Sequence, residues 1–202
     1  MKNLYRLKKD EVGRAGEVFF AAFQEDPVFN AIFDGATREQ RLAFFTMTAQ
    51  YSVKYGQVYA PSPALEGIAA WVPGKYSEMS FWRRLLSGAL WTGLNMGMEV
   101  SKTMVTVFTP IDQDREEHMR GRDYIYLLMI GVDPQYQGQG YGGQLLSGLI
   151  EESEQTGLPI YLETETENNV SVYEHFGFKV VDKVTLPQID LPMWELIREP
   201  TG

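Results

Sequence analysis

The chain of 202 residues contains no cysteine. Disulfides, thiolate metal sites and a cysteine nucleophile are thereby excluded. Only two histidines are present, His118 and His175, too few for a histidine-rich centre, so no metal is expected. A basic stripe is also missing. The 27 acidic side chains outnumber the 18 basic ones, and the net charge of −9 argues against nucleic acid as a partner. Long apolar runs are absent too. The longest uncharged apolar stretch, residues 85–98, holds about fourteen residues, whereas a spanning helix needs about twenty. The opening Met1-Lys2-Asn3-Leu4-Tyr5-Arg6 lacks the apolar run of a signal peptide. A cytoplasmic protein with no membrane partner is the expectation.

What is present is a globular composition. Hydrophobic residues make up 44% and aromatics 13% of the chain, enough for one substantial buried core. No repeat, low-complexity tract or linker interrupts it, so residues 1–202 are expected to form a single domain. The acidic surplus is compatible with a cationic ligand.

Periodicity gives the elements. Residues 3–7 read as a short strand. Over 10–23, Val12, Ala15, Val18, Phe19, Ala22 and Phe23 recur at helical spacing, with Asp10 as N-cap, until Asp26-Pro27 breaks the pattern. A helix over 37–55 starts from Thr37. Strands over 57–60 and 67–72 flank a Pro-Ser-Pro turn. An apolar strand covers 124–132, a helix 140–156 with Leu145, Leu146, Leu149 and Ile150 on its core face, and a strand 159–163. A short helix over 168–176 ends at Gly177. Strands over 178–186 and 189–196, joined at Pro187-Gln188, form a final antiparallel pair. Residues 73–122 read as a helical insertion. Its apolar, aromatic part over 81–94 predicts core or lid helices. Met96, Met98 and Met104 offer an adaptable wall for a substrate pocket. The charged stretch 111–123 reads as a surface loop, with His118 on the surface. His175 falls on a helix face.

The most informative stretch is Ile130-Gly131-Val132-Asp133-Pro134-Gln135-Tyr136-Gln137-Gly138-Gln139-Gly140-Tyr141-Gly142-Gly143. An apolar strand runs into a turn, a glycine-rich loop and a helix. Such a helix start presents unpaired N–H groups and a positive dipole end, and glycine lets a ligand come close, so a phosphate or pyrophosphate is the expected guest. Gly138, Gly140 and Gly143 also spell G-x-G-x-x-G, with Glu163 about twenty residues on, as a dinucleotide site requires. Against that reading, residues 133–137 intervene between the strand and the first glycine, where a dinucleotide turn is tighter. Only about sixty residues follow the loop, too few for most of a doubly wound sheet. A glycine turn with no ligand is the third reading.

Two signatures together resemble the GNAT N-acetyltransferase superfamily. The first is Val132-Asp133-Pro134 followed by Gln137-Gly138-Gln139-Gly140-Tyr141-Gly142, which looks like the family's acetyl-coenzyme A loop, Q/R-x-x-G-x-G/A after V-x-P. The second is Asn169, Tyr173 and Gly177-Phe178. The likeness is close over 124–181 and holds in outline over the first 72 residues. Residues 23–33, with Asp26-Pro27, resemble puromycin-type acetyltransferases, and 73–122 match no family motif. The resemblance implies an α+β, three-layer fold: a mixed, mostly antiparallel central sheet of about seven strands flanked by helices.

It also implies an activity, acetyl-CoA-dependent N-acetyl transfer to a primary amine of a small molecule. The N–H groups over 138–142 would hold the pyrophosphate. Gln137 would add a side-chain contact, and Gln139, Tyr141 and Gly143 complete the loop. The strand bearing Ile130, Gly131 and Val132 is expected to splay from the strand starting at Pro159, freeing edge N–H groups for the pantetheine arm and the thioester carbonyl. Tyr173 is expected to protonate the departing thiolate, since a phenol of pKa about 10 is close to a thiol. Asn169 would cap its helix, bind the co-substrate, or both. Glu163 is the first choice of base, with Glu165 and Asp26 as further candidates. The strand 124–132 has no carboxylate, unlike family members that place the base there, and Asp123 lies just before it. Tyr124 stands where puromycin-like relatives often have histidine. Asp26, Phe29, Phe33 and Trp82 are expected at the acceptor pocket. Without cysteine, direct transfer in a ternary complex follows, and family habit suggests a homodimer. The rival functions are a nucleotide-dependent oxidoreductase and a non-catalytic acyl-CoA sensor.

Overall fold

The computed structural model describes residues 3–201. Its frame is a seven-stranded sheet in the order β1-β2-β3-β4-β5-β7-β6. The strands are β1 (Tyr5–Arg6), β2 (Gln57–Ala60), β3 (Gly67–Pro73), β4 (Ile125–Val132), β5 (Ile160–Thr164), β6 (Lys179–Leu186) and β7 (Leu191–Arg198). Every neighbouring pair is antiparallel except β4 and β5. This mixed sheet, flanked by helices, is the α+β architecture expected, and it lacks the parallel order on which a doubly wound dinucleotide fold depends.

Each face of the sheet carries its own apolar core. On one face Ile68, Ala70, Val72 and Tyr126 meet helices α1 (Val12–Ala22), α3 (Arg38–Tyr55) and α6 (Met98–His118). On the other, Ala69, Trp71, Leu127, Leu162 and Leu196 pack with Leu145, Leu146 and Leu149 of helix α7 (Tyr141–Thr156). The alternation along β3 sends successive side chains to opposite faces, as the strand period requires.

Local signals set most boundaries. Thr37 accepts from the Gln40 N–H while the Gln40 side chain accepts from the Thr37 N–H, a reciprocal box that starts α3 as expected. Asp10 does not cap the first helix. Glu11 reaches back to the Lys8 N–H at 2.9 Å and takes the Tyr5 hydroxyl at 2.8 Å, so a 3-10 turn over Lys9–Glu11 precedes α1. Asp26-Pro27 does more than end a helix. The Asp26 side chain accepts from the Phe29 N–H at 2.8 Å and starts helix α2 (Pro27–Ile32). The last hairpin turns over 187–190 rather than at Pro187-Gln188 alone, closed by the Asp190 N–H on the Leu186 carbonyl at 2.8 Å.

Between β3 and β4 lie helices α4 (Phe81–Ser87), α5 (Ala89–Leu94) and α6. The surface loop expected over 111–123 is corrected: α6 runs on to His118 and includes Pro110. Val100, Val107, Ile111 and Arg115 are its buried positions, and their helical spacing explains why charged neighbours do not break it. The helices α4 and α5 leave Phe81, Trp82, Leu86, Trp91 and Leu94 exposed. No helix among the described residues is long and apolar enough to cross a membrane.

Candidate active site

The sheet opens at its centre. β4 and β5 pair only at Ile125 with Ile160 and at Tyr126 with Tyr161, and then diverge. β4 meanwhile stays paired with β3 to Val132, and β5 with β7 to Thr164. The expected splay is therefore present. A register shift opposite Ala70 and Trp71 leaves Leu128 as an extra residue in β4, and a bulge of this kind bends the strand and raises its twist. Gly131 keeps α1 close to β4, because a Cβ there would stand 2.7 Å from the Ala22 side chain.

The glycine loop sits beyond the end of β4. Gly138 and Gly140 adopt φ of +75° and +84°, a region that favours glycine. A Cβ at either would meet nothing within 4 Å, so the mouth of α7 is not filled by the protein's own side chains. Gly140 is the N-cap and offers no side-chain cap. The first N–H groups of α7 therefore have no intrahelical partner. Open space, free donors and the dipole end coincide, which fits a diphosphate. Gln137 turns back instead, its Nε2 donating to the Val132 carbonyl at 3.2 Å. Gln139 is exposed, and Tyr141 packs edge-on against Tyr136. Val132 lies beside Gly142, where an added Cβ would stand 3.7 Å from its side chain.

A cavity of about 130 Å³ occupies the splay, lined by Asp26, Phe29, Ile130, Glu163, Glu165, Asn169 and Tyr173 among others. These seven residues, all singled out in the sequence, thus meet in one place. Phe33 is instead buried in an aromatic cluster with Phe29, Phe44 and Phe45. Trp82 is 68% exposed on α4, edge-on to Phe81, and does not line the cavity. Asn169 does not cap helix α8 (Glu167–His175). Thr166 does so, accepting from the Asn169 N–H at 3.2 Å, while the Asn169 amide donates to Thr164 Oγ1 at 3.0 Å and Glu165 Oε1 at 3.3 Å. Tyr173 is half-buried one turn further on. Burial and the nearby Glu165 charge raise its phenol above the ordinary value, so at neutral pH it is a proton donor.

The carboxylates differ in what holds them. Glu163 is buried and its Oε1 takes Arg115 Nη1 at 3.0 Å. Burial pushes it up to about 7 against the pull of Arg115 and the Tyr126 hydroxyl. Arg115, 1% exposed, is also bound to Asp112 and lies 4.2 Å over the Tyr126 ring. Glu165 is pushed up to about 8 by burial, then by the Asp26 carboxyl beside it. Burial likewise raises Asp26. Two neighbouring carboxyls share protons because both cannot easily be charged together.

Arg115 does not stand out in the sequence. It was hidden in the stretch read as a loop, although its spacing from Val107 and Ile111 was a helical signal. His118 is not a free surface residue: its Nε2 lies 3.3 Å from buried Glu195 and 3.5 Å from Asp182. Tyr124 is buried and its hydroxyl donates to Ser77 at 3.3 Å, away from the cleft. Asp123 also lies outside the cleft cavity, and His175 packs edge-on against Phe176.

A second cavity of about 320 Å³ adjoins the first and shares Phe29, Phe108, Ile111, Tyr126, Leu128 and Met129 with it. Its further wall includes Met47, Met79, Met96 and Met104. The adaptable methionine lining expected of the insertion is present, except that Met98 is exposed.

Residues 105–178 match the model of the acetyltransferase (GNAT) family. An uncharacterized N-acetyltransferase of Schizosaccharomyces pombe, C550.08, is 30% identical over 206 residues, covering 96% of this chain and 82% of the relative. Among solved structures, the fold is similar to a histone acetyltransferase HPA2-related acetyltransferase from Corynebacterium glutamicum, at 16% identity and TM-score 0.67, covering 99% of this chain and 97% of the other. It is also similar to a mosquito arylalkylamine N-acetyltransferase-like protein, at 14% identity and TM-score 0.60, covering 97% and 98%.

Proposed function

The chain belongs to the acetyltransferase (GNAT) family, and from that premise we propose that it transfers the acetyl group of acetyl-CoA directly to a primary amine of a small molecule. The observation that carries the reading is the unfilled entrance of α7, with its two left-handed glycines, beside a cleft lined by Glu165, Asp26 and Tyr173. Acetyl-CoA supplies the activated acyl group. The main-chain N–H groups of 140–143 hold its diphosphate, and the unpaired edge of β4 beyond Tyr126 receives the pantetheine arm and the thioester carbonyl.

The chain's own residues then handle two protons. An amine reaches the cleft as an ammonium and is drawn to the Asp26–Glu165 pair. That pair takes one proton, leaving the nitrogen lone pair free to attack. We assign the base to this pair rather than to Glu163, whose oxygen is already engaged by Arg115; Glu163 holds Arg115 and Tyr126 in place along the cleft wall. Tyr173 gives its proton to the departing sulfur as the tetrahedral intermediate collapses, and the second proton of the attacking nitrogen restores the phenol, so the pair retains one proton and Tyr173 ends unchanged. Phe29, Phe108 and Met129 exclude water from the far side of the cleft.

The direct test is a thiol-release assay with purified protein, acetyl-CoA and a panel of arylalkylamines and polyamines. The expected result is coenzyme A release that requires both acetyl-CoA and a primary amine, with one acetylated amine per thiol. Acetyl-CoA binding with no transfer across the panel would contradict the proposal and match a sensor instead.

A further inference from the structure

The charges lining the two joined cavities are distributed unevenly. Asp26 and Glu165 line only the smaller one, at the reaction cleft. Arg84, on α4, lines only the larger one. The shared wall between them is almost wholly apolar.

Arg84 differs from the other charged side chains there. Arg115 and Asp112 hold each other, and Arg115 also holds Glu163. Glu78 is exposed to solvent at the rim. Arg84 is half-buried, and its guanidinium makes no hydrogen bond or ion pair among the described residues. Its Nε is fully buried without a partner. A buried donor left unmade is costly, and a guanidinium fork matches a carboxylate in a bidentate way.

We infer that Arg84 anchors an anionic group of the acceptor, so that the acceptor is a primary amine carrying a carboxylate at the far end of an apolar body. This deepens the acetyl-transfer reading and rests on it. The ammonium end sits at Asp26 and Glu165, the apolar body lies along Phe29, Phe108 and Met129, and the carboxylate meets Arg84. Amines without the anionic end leave the guanidinium unpaired, and amines with it at the wrong end place like charges against Asp26 and Glu165.

The test is a matched pair of acceptors, 4-(2-aminoethyl)benzoate and 2-phenylethylamine, compared by kcat/KM in the thiol-release assay. The wild-type protein is expected to prefer the benzoate by about tenfold or more, the size of one charge-assisted contact. In Arg84→Ala the preference falls to about one. In Arg84→Lys, which keeps the charge and loses the fork, it falls part of the way. Equal use of both amines by the wild-type protein, or a preference that survives Arg84→Ala, overturns the anchor while leaving acetyl transfer standing. Failure of both amines while another amine of the panel is acetylated overturns the anchor alone, and no transfer to any amine of the panel overturns the transfer reading with it. The wild-type ratio needs no variant, so the inference stays testable even if a substitution at Arg84 impairs folding.

Discussion

Replacing Tyr173 with phenylalanine is expected to lower kcat by about 10²- to 10³-fold, within the usual range for a positioned proton donor. The affinity for acetyl-CoA should change little, because in the proposed mechanism the hydroxyl acts on the departing sulfur. The ring itself is held by packing that phenylalanine keeps, edge-on to Phe178 with centroids 5.5 Å apart. The hydroxyl is the part removed, from a residue that lines the cleft with Asp26, Glu165 and Asn169. Stopped-flow or steady-state kinetics beside calorimetric binding separate the two effects. A variant that turns over at the wild-type rate removes Tyr173 as the acid. An acetyl-CoA affinity that falls in step with kcat would make it a binding residue instead.

Glu165→Gln is expected to lower kcat/KM by about 10²-fold or more, as loss of a general base does. The pH profile gives the sharper signature. Burial and the neighbouring Asp26 carboxyl push Glu165 up to about 8, and in the proposed mechanism its carboxylate is what accepts the proton of the amine. For the wild-type protein kcat/KM should therefore rise as pH increases through about 8, and in the glutamine variant this limb should vanish. Stability should move the opposite way. The folded-state pKa of Glu165 lies above its ordinary carboxylate value of 4.5. Its contribution is thus fully favourable below that value and is lost as pH rises through the folded pKa. At pH 9 the native fold carries a buried, crowded charge that glutamine removes. The variant should melt several degrees higher than wild type at pH 9, and the gain should shrink toward pH 5. Thermal melts across pH check this. A variant that is less stable at pH 9 would show that Glu165 is ionised at no cost, and the shared-proton account of the pair would fail with it.

Arg115 shows where the two carboxyl systems diverge. It is fully buried, ion-paired with Glu163 and stacked on Tyr126, which makes Glu163 a structural charge as much as a chemical one. Removing one partner of such a pair leaves an uncompensated buried charge. Glu163→Gln is accordingly a poor probe of catalysis on its own, and comparison with Glu165→Gln is the informative experiment.

Much of the fold was legible because its signals were local. The Thr37 cap, the apolar stripe of Leu145, Leu146 and Leu149, and the glycine ending α8 each act within a few residues of themselves. The seven strands were legible for the same reason, and so was the glycine loop. The course of α6 was not. Pro110 lies within it and charges crowd its second half, and both ordinarily mark a loop. Only the recurrence of Val100, Val107 and Ile111, carried on by Arg115, betrays the buried face. Helix caps misled where a neighbouring side chain took the position: Glu11 rather than Asp10 holds the turn before α1, and Thr166, three residues earlier, caps α8 in place of Asn169.

The cleft was legible in its parts and illegible in its pairing. Asp26 stands at the start of α2 and Glu165 just beyond the end of β5, and nothing in the sequence reports that tertiary packing sets one beside the other. The same holds for Arg84, a short-helix residue whose isolation is visible only once the cavity around it has closed. Trp82 had the composition of a pocket residue, yet α4 turns it to solvent.

The account rests on main-chain donors at the entrance of α7 receiving the diphosphate of acetyl-CoA. The most direct measurement is a calorimetric titration of acetyl-CoA into Gly140→Val beside the wild-type protein. The valine side chain would project into the open space beyond Gly140, where nothing lies within 4 Å of a Cβ. Wild-type binding in the micromolar range usual for co-substrates, weakened at least about tenfold in the variant, is the predicted result. A correctly folded variant that binds acetyl-CoA as tightly as the wild-type protein would contradict it.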